Sequence, residues 1–185
     1  FKQKVGYKQK ELNVAVEPKK NNIDLVTLDG LMKKLRGIKS PEEITLLRKA
    51  VNISCAGQLE VMKAIKPGMS EMQIQGLHEF IHKSYTAEDQ GYQSIFGAGH
   101  NGSVLHYRDS YKPSIQDGEL ILMDVGAEYR GYTADITRTI PVNGKFSKEQ
   151  KLIYDLVYKA QTAAWEICKE GTSFAALSAI TEKII

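Results

Sequence analysis

Apolar residues recur with helical spacing from residue 40 to residue 67. Ser40-Pro-Glu-Glu43 combines an N-cap residue, a proline at the first helical position and a capping-box glutamate, so a helix is predicted to begin here. Its apolar stripe ends at Pro67-Gly68 and consists of Ile44, Leu47, Val51, Cys55, Leu59, Met62 and Ile65. Ser70 with Gln73 predicts the start of a second helix in the same way.

A third helix is predicted from Ser147-Lys-Glu-Gln150 to a stop at Gly171. The residues predicted to face inward are Leu152, Leu156, Ala160, Ala163 and Ile167. Between the second and third helices the chain is β-rich, with strands predicted near residues 94–96, 104–107, 119–125 and 132–142. These elements predict an α+β fold in which helices pack on one face of a curved, mostly antiparallel sheet.

Composition bounds the class of protein. The 185 residues are 42% hydrophobic and 25% charged, which is typical of a globular sequence and excludes a disordered or fibrous one. No apolar run approaches the roughly 20 residues that span a bilayer, and no signal-peptide pattern is present, so we expect a cytoplasmic protein without a membrane partner. Cys55 and Cys168 lack metal-site spacing and are predicted to be buried small hydrophobes rather than a disulfide.

The net charge of +3 arises at the start of the chain, where residues 1–20 hold six lysines against two glutamates. Such a segment could bind nucleic acid, but it lacks arginine and has only one tyrosine and one phenylalanine for stacking. We therefore predict no nucleic-acid partner. Residues 1–23 are interpreted as a solvated linker or the tail of a preceding domain.

Two aspartates carry the strongest chemical signal. Asp124 and Asp135 are predicted to face each other across a β-hairpin whose turn is Arg130-Gly131, each inside an otherwise buried strand. Like charges opposite each other destabilise a sheet, and burial of carboxylates costs several kcal/mol per ion unless it is compensated. Either one carboxyl group stays protonated, or both bind one or two divalent metals. Capping of a neighbouring loop is the structural alternative.

Two further motifs compete with this site. His78-Glu-Phe-Ile-His82 matches the zincin pattern H-E-x-x-H, but Tyr85 stands where metzincins have glycine, so partly buried helix histidines are the preferred interpretation. Gly97-Ala-Gly-His-Asn-Gly102 matches a dinucleotide fingerprint, which requires a following helix where this sequence predicts a strand. We interpret these glycines as making sharp turns that place His106.

Three segments carry a resemblance to a known family. The first and most specific is Asp124-Val-Gly-Ala-Glu-Tyr-Arg-Gly-Tyr-Thr-Ala-Asp135-Ile-Thr-Arg-Thr139. The second and third are Ile38-Lys-Ser-Pro-Glu-Glu-Ile44 and Gly99-His-Asn-Gly-Ser-Val-Leu-His-Tyr107. In this order they resemble the pita-bread (creatinase/aminopeptidase) metallopeptidases, closest to the aminopeptidase P branch and next to prolidase, over about residues 24–185.

The resemblance implies a site and an activity. Asp124 and Asp135 would be the first two ligands of a dinuclear centre, and His106 would contact the substrate and the tetrahedral intermediate without being a principal metal ligand. Tyr92 and Arg138 are predicted as supporting residues around the ligands. Oxygen-rich ligation favours manganese, with cobalt and zinc as alternatives. The implied reaction is hydrolysis of peptides with proline in the second position, by an enzyme expected to be a homo-oligomer.

The sequence also departs from the family pattern, since no histidine follows His106 and the later Glu149, Glu166, Glu170 and Glu182 lie on predicted helices. The general-base glutamate is therefore not identified. Two of five expected ligands are present.

A repeat offers an explanation. Gly68 aligns with Gly171, Ser70 with Ser173 and Leu77 with Ile180. We interpret residues 41–143 as one repeat unit and residues from about 147 as a second, incomplete one, so that a truncated catalytic domain is expected. Prolidase, methionine aminopeptidase and a non-catalytic pita-bread binding module stay open as alternatives.

Overall fold

The computed structural model describes residues 24–185, so the predicted tail at residues 1–23 lies outside the described residues. The chain divides into two units, residues 1–40 and 41–185. Helix α1 (Leu25–Gly37) is in the first unit and was not predicted from the sequence. Its signal is Asp24, whose carboxylate accepts hydrogen bonds from the backbone amides of Val26 and Thr27 as an N-cap.

The second unit contains four α-helices and six strands. Its helices are α2 (Pro41–Ala64), α3 (Glu71–Ser84), α4 (Lys148–Ile167) and α5 (Phe174–Ile184). Its strands are β1 (Asp89–Gln90), β2 (Ile95–Ala98), β3 (Leu120–Val125), β4 (Ala127–Tyr129), β5 (Tyr132–Thr133) and β6 (Ile136–Pro141). A 3₁₀ helix at Gly99–Ser103 follows β2.

The predicted helix starts are confirmed. Ser70 and Ser147 each form a capping box, with Gln73 and Gln150 as the reciprocal partners. Ser173 caps α5 through the amide of Ala176.

The β-rich region forms two three-stranded antiparallel sheets rather than one. Strand order is β1-β4-β5 in one and β2-β3-β6 in the other. Helix α2 packs against β4, β5 and β6, and α3 packs against α2, β1 and β2. The main core joins these layers through fully or almost fully buried side chains, among them Val61, Ile74, Phe96, Ile121, Met123 and Val142.

The predicted inward stripe of α2 is wrong. Ile44, Val51, Leu59 and Met62 are 38–56% exposed, whereas the buried face consists of Ala50, Ile53, Ser54, Gly57, Gln58 and Val61. The small residues of this face allow α2 to pack closely on the sheet, and its polar side chains form hydrogen bonds with the sheet backbone. On α4 the predicted face is partly correct: Ala160 is buried, but Leu152 is 71% exposed.

Cys55 and Cys168 are free thiols and both are exposed, so the prediction that they are buried is wrong. Residues 104–107, predicted as a strand, form a turn after the 3₁₀ helix. No helix within residues 24–185 has the length and apolar character needed to cross a bilayer.

Candidate metal centre

Asp124 lies on β3, the central strand of its sheet, between Ile95 of β2 and Thr137 of β6. Burial alternates along β3, with Ile121, Met123 and Val125 fully buried and the intervening side chains half-buried. The sequence analysis predicted a strand covered on both faces, and this prediction is wrong because β3 is fully buried on one face only. Asp124 belongs to the more open face, where water and ions have access.

Asp135 lies between β5 and β6 and is exposed. The predicted turn is present: Tyr129 pairs with Tyr132, and both Arg130 and Gly131 have positive φ, as a two-residue hairpin turn requires. The prediction that the two aspartates stand directly opposite is wrong. Asp124 is opposite Thr137, and continuation of the same register puts Asp135 opposite Gly126, two positions away on the same face.

Tyr92 brings the two carboxylates together. Its hydroxyl lies 2.6 Å from Oδ1 of Asp124 and 3.2 Å from Oδ1 of Asp135. Burial, followed by the hydrogen bond and the negative charge of Asp124, raises the pKa of Tyr92 far above its ordinary value, so the hydroxyl keeps its proton. The phenol is thus a neutral donor that holds both carboxylates at one point.

Gly126 separates the two sheets and makes room for this group. A Cβ at Gly126 would lie 1.8 Å from the carbonyl oxygen of Ala134 and 2.9 Å from the Tyr92 ring. Both distances are too short for any side chain. The hairpin therefore breaks at a position where only glycine fits, and the ring of Tyr92 occupies the space beside it.

Two polar side chains of α2 bond to the backbone around the break. Ser54 Oγ accepts a hydrogen bond from the Ala127 amide at 2.9 Å. Gln58 Nε2 donates to the carbonyls of Met123 and Ile136, at 3.4 and 3.3 Å. Those carbonyls belong to the residue before Asp124 and the residue after Asp135. Ser54 and Gln58, four residues apart on a helix, therefore fix both flanks of the site, and the sequence analysis missed them.

The donor set fits divalent metal ions. Two carboxylates share one hydroxyl, and within residues 24–185 no ion pair joins a lysine, arginine or histidine to either of them. Carboxylate oxygens are ligands of hard cations, and a cation would relieve the repulsion between the two charges. No group of three or more histidine, cysteine, aspartate or glutamate side chains is arranged to hold a metal within the described residues. The described chain supplies two candidate ligands.

His106 is exposed and has φ of +54° in the turn that follows the 3₁₀ helix. It forms no hydrogen bond with Asp124, Asp135 or Tyr92. Its loop is nevertheless tied to the site, because Gln93, the neighbour of Tyr92, donates from Nε2 to the Arg108 carbonyl at 3.0 Å. His106 stays a prediction as a catalytic residue.

Arg138 is an exposed residue of β6 paired with Met123, and its guanidinium donates to the carbonyl of Thr137 at 2.7 Å. Successive residues of a strand point to opposite faces, and Arg138 follows Thr137, which pairs with Asp124. Arg138 is therefore on the face opposite to that of Asp124. The structure joins Tyr92, but not Arg138, to the carboxylates. The supporting role of Arg138 stays a prediction.

The histidines of the H-E-x-x-H motif are fully rather than partly buried, both at 0% exposure on α3. Their ring centroids are 4.3 Å apart, and His78 also contacts the ring of Phe96. His82 Nδ1 lies 2.7 Å from Gln90 Oε1, and the other ring nitrogens have no partner within the described chain. No third ligand approaches them there, so they are structural residues of the core.

The glycine-rich loop folds on itself and opens only the five-residue 3₁₀ helix. A Cβ at Gly97 would lie 2.8 Å from the Asn101 carbonyl oxygen, and Gly99 has φ of +58°. These contacts explain the glycines as turn residues. The strand predicted after the loop is wrong, since the loop contains a 3₁₀ helix and a turn follows it. The α-helix that a dinucleotide site requires is nevertheless not present at this position.

Comparison with known proteins identifies the family. The model of metallopeptidase family M24 matches residues 45–185. The chain belongs to this family. The M24 assignment agrees with the resemblance described from the aspartate, histidine and Ser-Pro-Glu-Glu segments.

Curated relatives within M24 include two bacterial Xaa-Pro aminopeptidases. The Escherichia coli protein is 41% identical over 145 residues, which are 77% of this chain and 32% of that protein. The Haemophilus influenzae protein is 42% identical over 145 residues, covering 77% and 33%. Intermediate cleaving peptidase 55, mitochondrial, of Arabidopsis thaliana is 36% identical over 159 residues, covering 86% and 32%. The chain thus spans about a third of the length of the curated relatives it matches.

Solved structures give the same picture. A variant of Escherichia coli aminopeptidase P in complex with substrate superposes with a TM-score of 0.81 and 37% identity, over 83% of this chain and 35% of that one. Proline aminopeptidase P II from Yersinia pestis superposes with a TM-score of 0.81 and 38% identity, over 84% and 35%. The chain has the pita-bread fold, of which it contains a part, and the predicted fold class is confirmed.

Proposed function

We propose that this M24 protein is a metal-dependent Xaa-Pro aminopeptidase, which releases the N-terminal residue from peptides with proline in the second position. The observation that carries the proposal is the Asp124–Tyr92–Asp135 cluster in a chain 41% identical to an Xaa-Pro aminopeptidase. The complex of a related aminopeptidase P with substrate supports a peptide ligand.

Each residue has a proposed role. Asp124 and Asp135 would hold divalent ions through their carboxylate oxygens. Tyr92 keeps both carboxylates in one orientation by its hydroxyl, which leaves the remaining oxygens free for ligation. His106 donates a hydrogen bond to the tetrahedral intermediate or carries a proton. When bound, such ions polarise the scissile carbonyl and activate water.

Manganese is the proposed metal, because carboxylate oxygens favour harder ions than thiolate sites do. Cobalt and zinc are the alternatives. A zinc-substituted Escherichia coli aminopeptidase P has been solved in complex with product, so zinc enters at least one relative. The metal content of the full-length gene product after equilibration with each ion tests this assignment.

The activity is tested on the full-length gene product with peptides of three kinds: Xaa-Pro-Xaa, the dipeptide Xaa-Pro and a Met-Ala peptide. We expect cleavage of Xaa-Pro-Xaa in the presence of manganese, and a loss of at least about 100-fold on replacement of either ligand, D124N or D135N. The matched control is D155N on α4, where Asp155 pairs only with Lys151 at the exposed surface. It should retain wild-type activity.

The other outcomes separate the alternatives. Cleavage confined to Xaa-Pro dipeptides would assign prolidase, and cleavage of Met-Ala would assign methionine aminopeptidase. If metal is retained and no peptide is cleaved, the protein is a pita-bread binding module. Equal activity of D124N, D135N and D155N would refute the assignment of the metal ligands.

We also propose that the two helix pairs, α2–α3 and α4–α5, are copies of one repeat unit, with the second unit beginning near residue 147. Two parallels support this proposal. Gly68 and Gly171, at equivalent positions, have φ of +92° and +86°, and Ser70 and Ser173 both cap the second helix of their pair. A cytoplasmic location is proposed as well, with a mitochondrial one as the alternative raised by the Arabidopsis relative.

Homo-oligomer formation of the full-length protein is proposed from the resemblance to the aminopeptidase P branch. Light scattering of the full-length gene product should give more than one protomer's mass, and a monomer at all concentrations would contradict the proposal.

A further inference from the structure

Glu71 is a fully buried carboxylate away from the metal-ligand candidates. It is the first residue of α3, immediately after the Ser70 cap, and has 0% exposure. Within residues 24–185 it forms no ion pair with a lysine, arginine or histidine. A carboxylate in this position is stable only when donors satisfy its oxygens, so its hydrogen bonds show what it holds.

Four donors satisfy Glu71, and all of them come from one segment, residues 98–112. Oε1 accepts from the Ala98 amide at 2.7 Å and from Asn101 Nδ2 at 3.0 Å. Oε2 accepts from the Tyr107 hydroxyl at 2.9 Å and from the Lys112 amide at 3.0 Å. One side chain therefore fixes the beginning, middle and end of the loop that contains His106.

Tyr107 links Glu71 to His106. Its hydroxyl donates to Glu71 and also accepts hydrogen bonds from Asn101 Nδ2 at 2.9 Å and from the Tyr111 amide at 3.2 Å. His106, the preceding residue, has φ of +54°, a left-handed conformation that costs about 1–2 kcal/mol for a residue with a Cβ. Such a conformation persists only where the surrounding structure fixes it, and the anchored Tyr107 is the adjacent constraint.

We propose that Glu71 is a positioning residue, which holds His106 in reach of the substrate by fixing the 98–112 loop through Tyr107. The inference rests on the proposed function, because it requires that His106 acts on the substrate. It goes beyond that function by assigning a role in catalysis to a buried residue that contacts neither metal nor peptide.

Replacement by glutamine reveals this role with little change in shape. In E71Q one oxygen becomes an NH₂ group, and whichever oxygen is replaced, the new group faces two donors. One of these is a backbone amide, of Ala98 or Lys112, which cannot reverse its direction. The loop must then shift away from α3. A displacement of about 1 Å at a catalytic group lowers rate by about 100-fold, so we expect kcat of E71Q to fall by about 10- to 100-fold with KM nearly unchanged.

The matched control is E79Q on the same helix. Glu79 accepts a hydrogen bond from Gln75 at 2.8 Å and forms none with the 98–112 loop within the described residues, so its replacement should leave kcat unchanged. A second pair guards against a folding defect in E71Q. Y107F removes the single hydroxyl and should also lower kcat, whereas Y111F changes a side chain that is 74% exposed and should not.

Non-additivity distinguishes positioning from a general structural role. If Glu71 acts through His106, then E71Q should lower kcat in wild type but cause no further loss in an H106A background. Equal losses in both backgrounds would overturn the proposal. Circular dichroism and thermal unfolding of all variants establish that folded enzymes are compared.

The test separates failure of this inference from failure of the proposed function. If the wild-type gene product cleaves no Xaa-Pro peptide, the proposed function fails, and the position of His106 is followed instead by its imidazole resonances in NMR spectra. Those resonances should shift in E71Q and Y107F but not in E79Q and Y111F. Unchanged resonances in all four variants would refute the positioning role whatever the activity.

Discussion

The buried pair His78–His82 predicts a loss of stability in mild acid. His78 is at 0% exposure, and burial, with a smaller contribution from His82, lowers its pKa from 6.5 to about 3. Burial also lowers the pKa of His82, an effect that the hydrogen bond to Gln90 and the charge of Glu79 partly oppose. In the folded protein His78 therefore stays neutral down to about pH 3. In the unfolded chain it becomes protonated near pH 6.5.

The sign and size follow from linkage. Between pH 6.5 and pH 3 the unfolded state binds a proton that the folded state does not, so the free energy of unfolding falls as pH falls through this window. From pH 7 to pH 5, where carboxylates titrate little, one such histidine removes about 1.9 kcal/mol. His82 changes the free energy of unfolding in the same direction. We therefore expect His78 to lower the free energy of unfolding by about 1.9 kcal/mol between these pH values, and His82 to lower it further.

Chemical denaturation at pH 7, 6 and 5 measures this change in the wild type and in H78L. Leucine leaves no protonatable group, and it removes two ring nitrogens that lack partners in the described chain, so the variant should lose about 1.9 kcal/mol less over the same range. H100A, which removes an exposed histidine, is the matched control and should behave as wild type. If the pH dependence of H78L equals that of the wild type, the assignment of acid sensitivity to His78 is wrong.

Two further predictions concern the break between the sheets. G126A should lower the free energy of unfolding by at least about 3 kcal/mol and reduce metal retention, because its Cβ would lie 1.8 Å from a backbone carbonyl oxygen. The control is G76A, on an open face of α3, where a Cβ would have no atom within 4 Å. This variant should be as stable as the wild type or more stable by up to about 1 kcal/mol. Denaturant titration and elemental analysis measure both, and equal stability of the two variants would contradict the reasoning. S54A should lower the free energy of unfolding by about 1–3 kcal/mol, since the buried amide of Ala127 loses its acceptor. A decrease of less than about 0.5 kcal/mol would contradict this, because water or a backbone shift would then replace Ser54.

The hairpin shows how much of the site the sequence contained. The turn at Arg130-Gly131 was identified from glycine alone, and a two-residue turn determines every pair along the hairpin. Counting outward from it places Asp124 opposite Thr137, as the structure does. The prediction of directly opposed aspartates was thus avoidable. What the turn could not supply was Tyr92, because its contact with the carboxylates spans 32 and 43 residues of sequence.

Helix α2 shows a different limit. Its start and length followed from local residues, but its inward face did not, since the most apolar stripe is exposed at Leu59 and Met62. The sheet selects the face that brings Ser54 to the Ala127 amide and Gln58 to the carbonyls of Met123 and Ile136. Those backbone groups belong to the partner rather than to the helix. A hydrophobic pattern alone cannot report them. The strand predicted at residues 104–107 was wrong for a related reason, because Glu71, which is 36 residues away in sequence, accepts a hydrogen bond from the Tyr107 hydroxyl and fixes the turn.

The break in the hairpin accounts for the placement of the two carboxylates. In an unbroken ladder, Asp135 would pair with residue 126, and a side chain there would fill the space in which the Tyr92 ring lies. Because residue 126 is glycine, the ring enters, and its hydroxyl reaches both aspartates. Ser54 accepts the hydrogen bond of the Ala127 amide beside the break, and Gln58 donates to the carbonyls of Met123 and Ile136 on its two flanks. The charge pair, the missing Cβ and the polar face of α2 are therefore parts of one arrangement. A substitution at Gly126, Ser54 or Gln58 should therefore weaken metal retention together with stability, which separates this arrangement from a site that depends on its ligands alone.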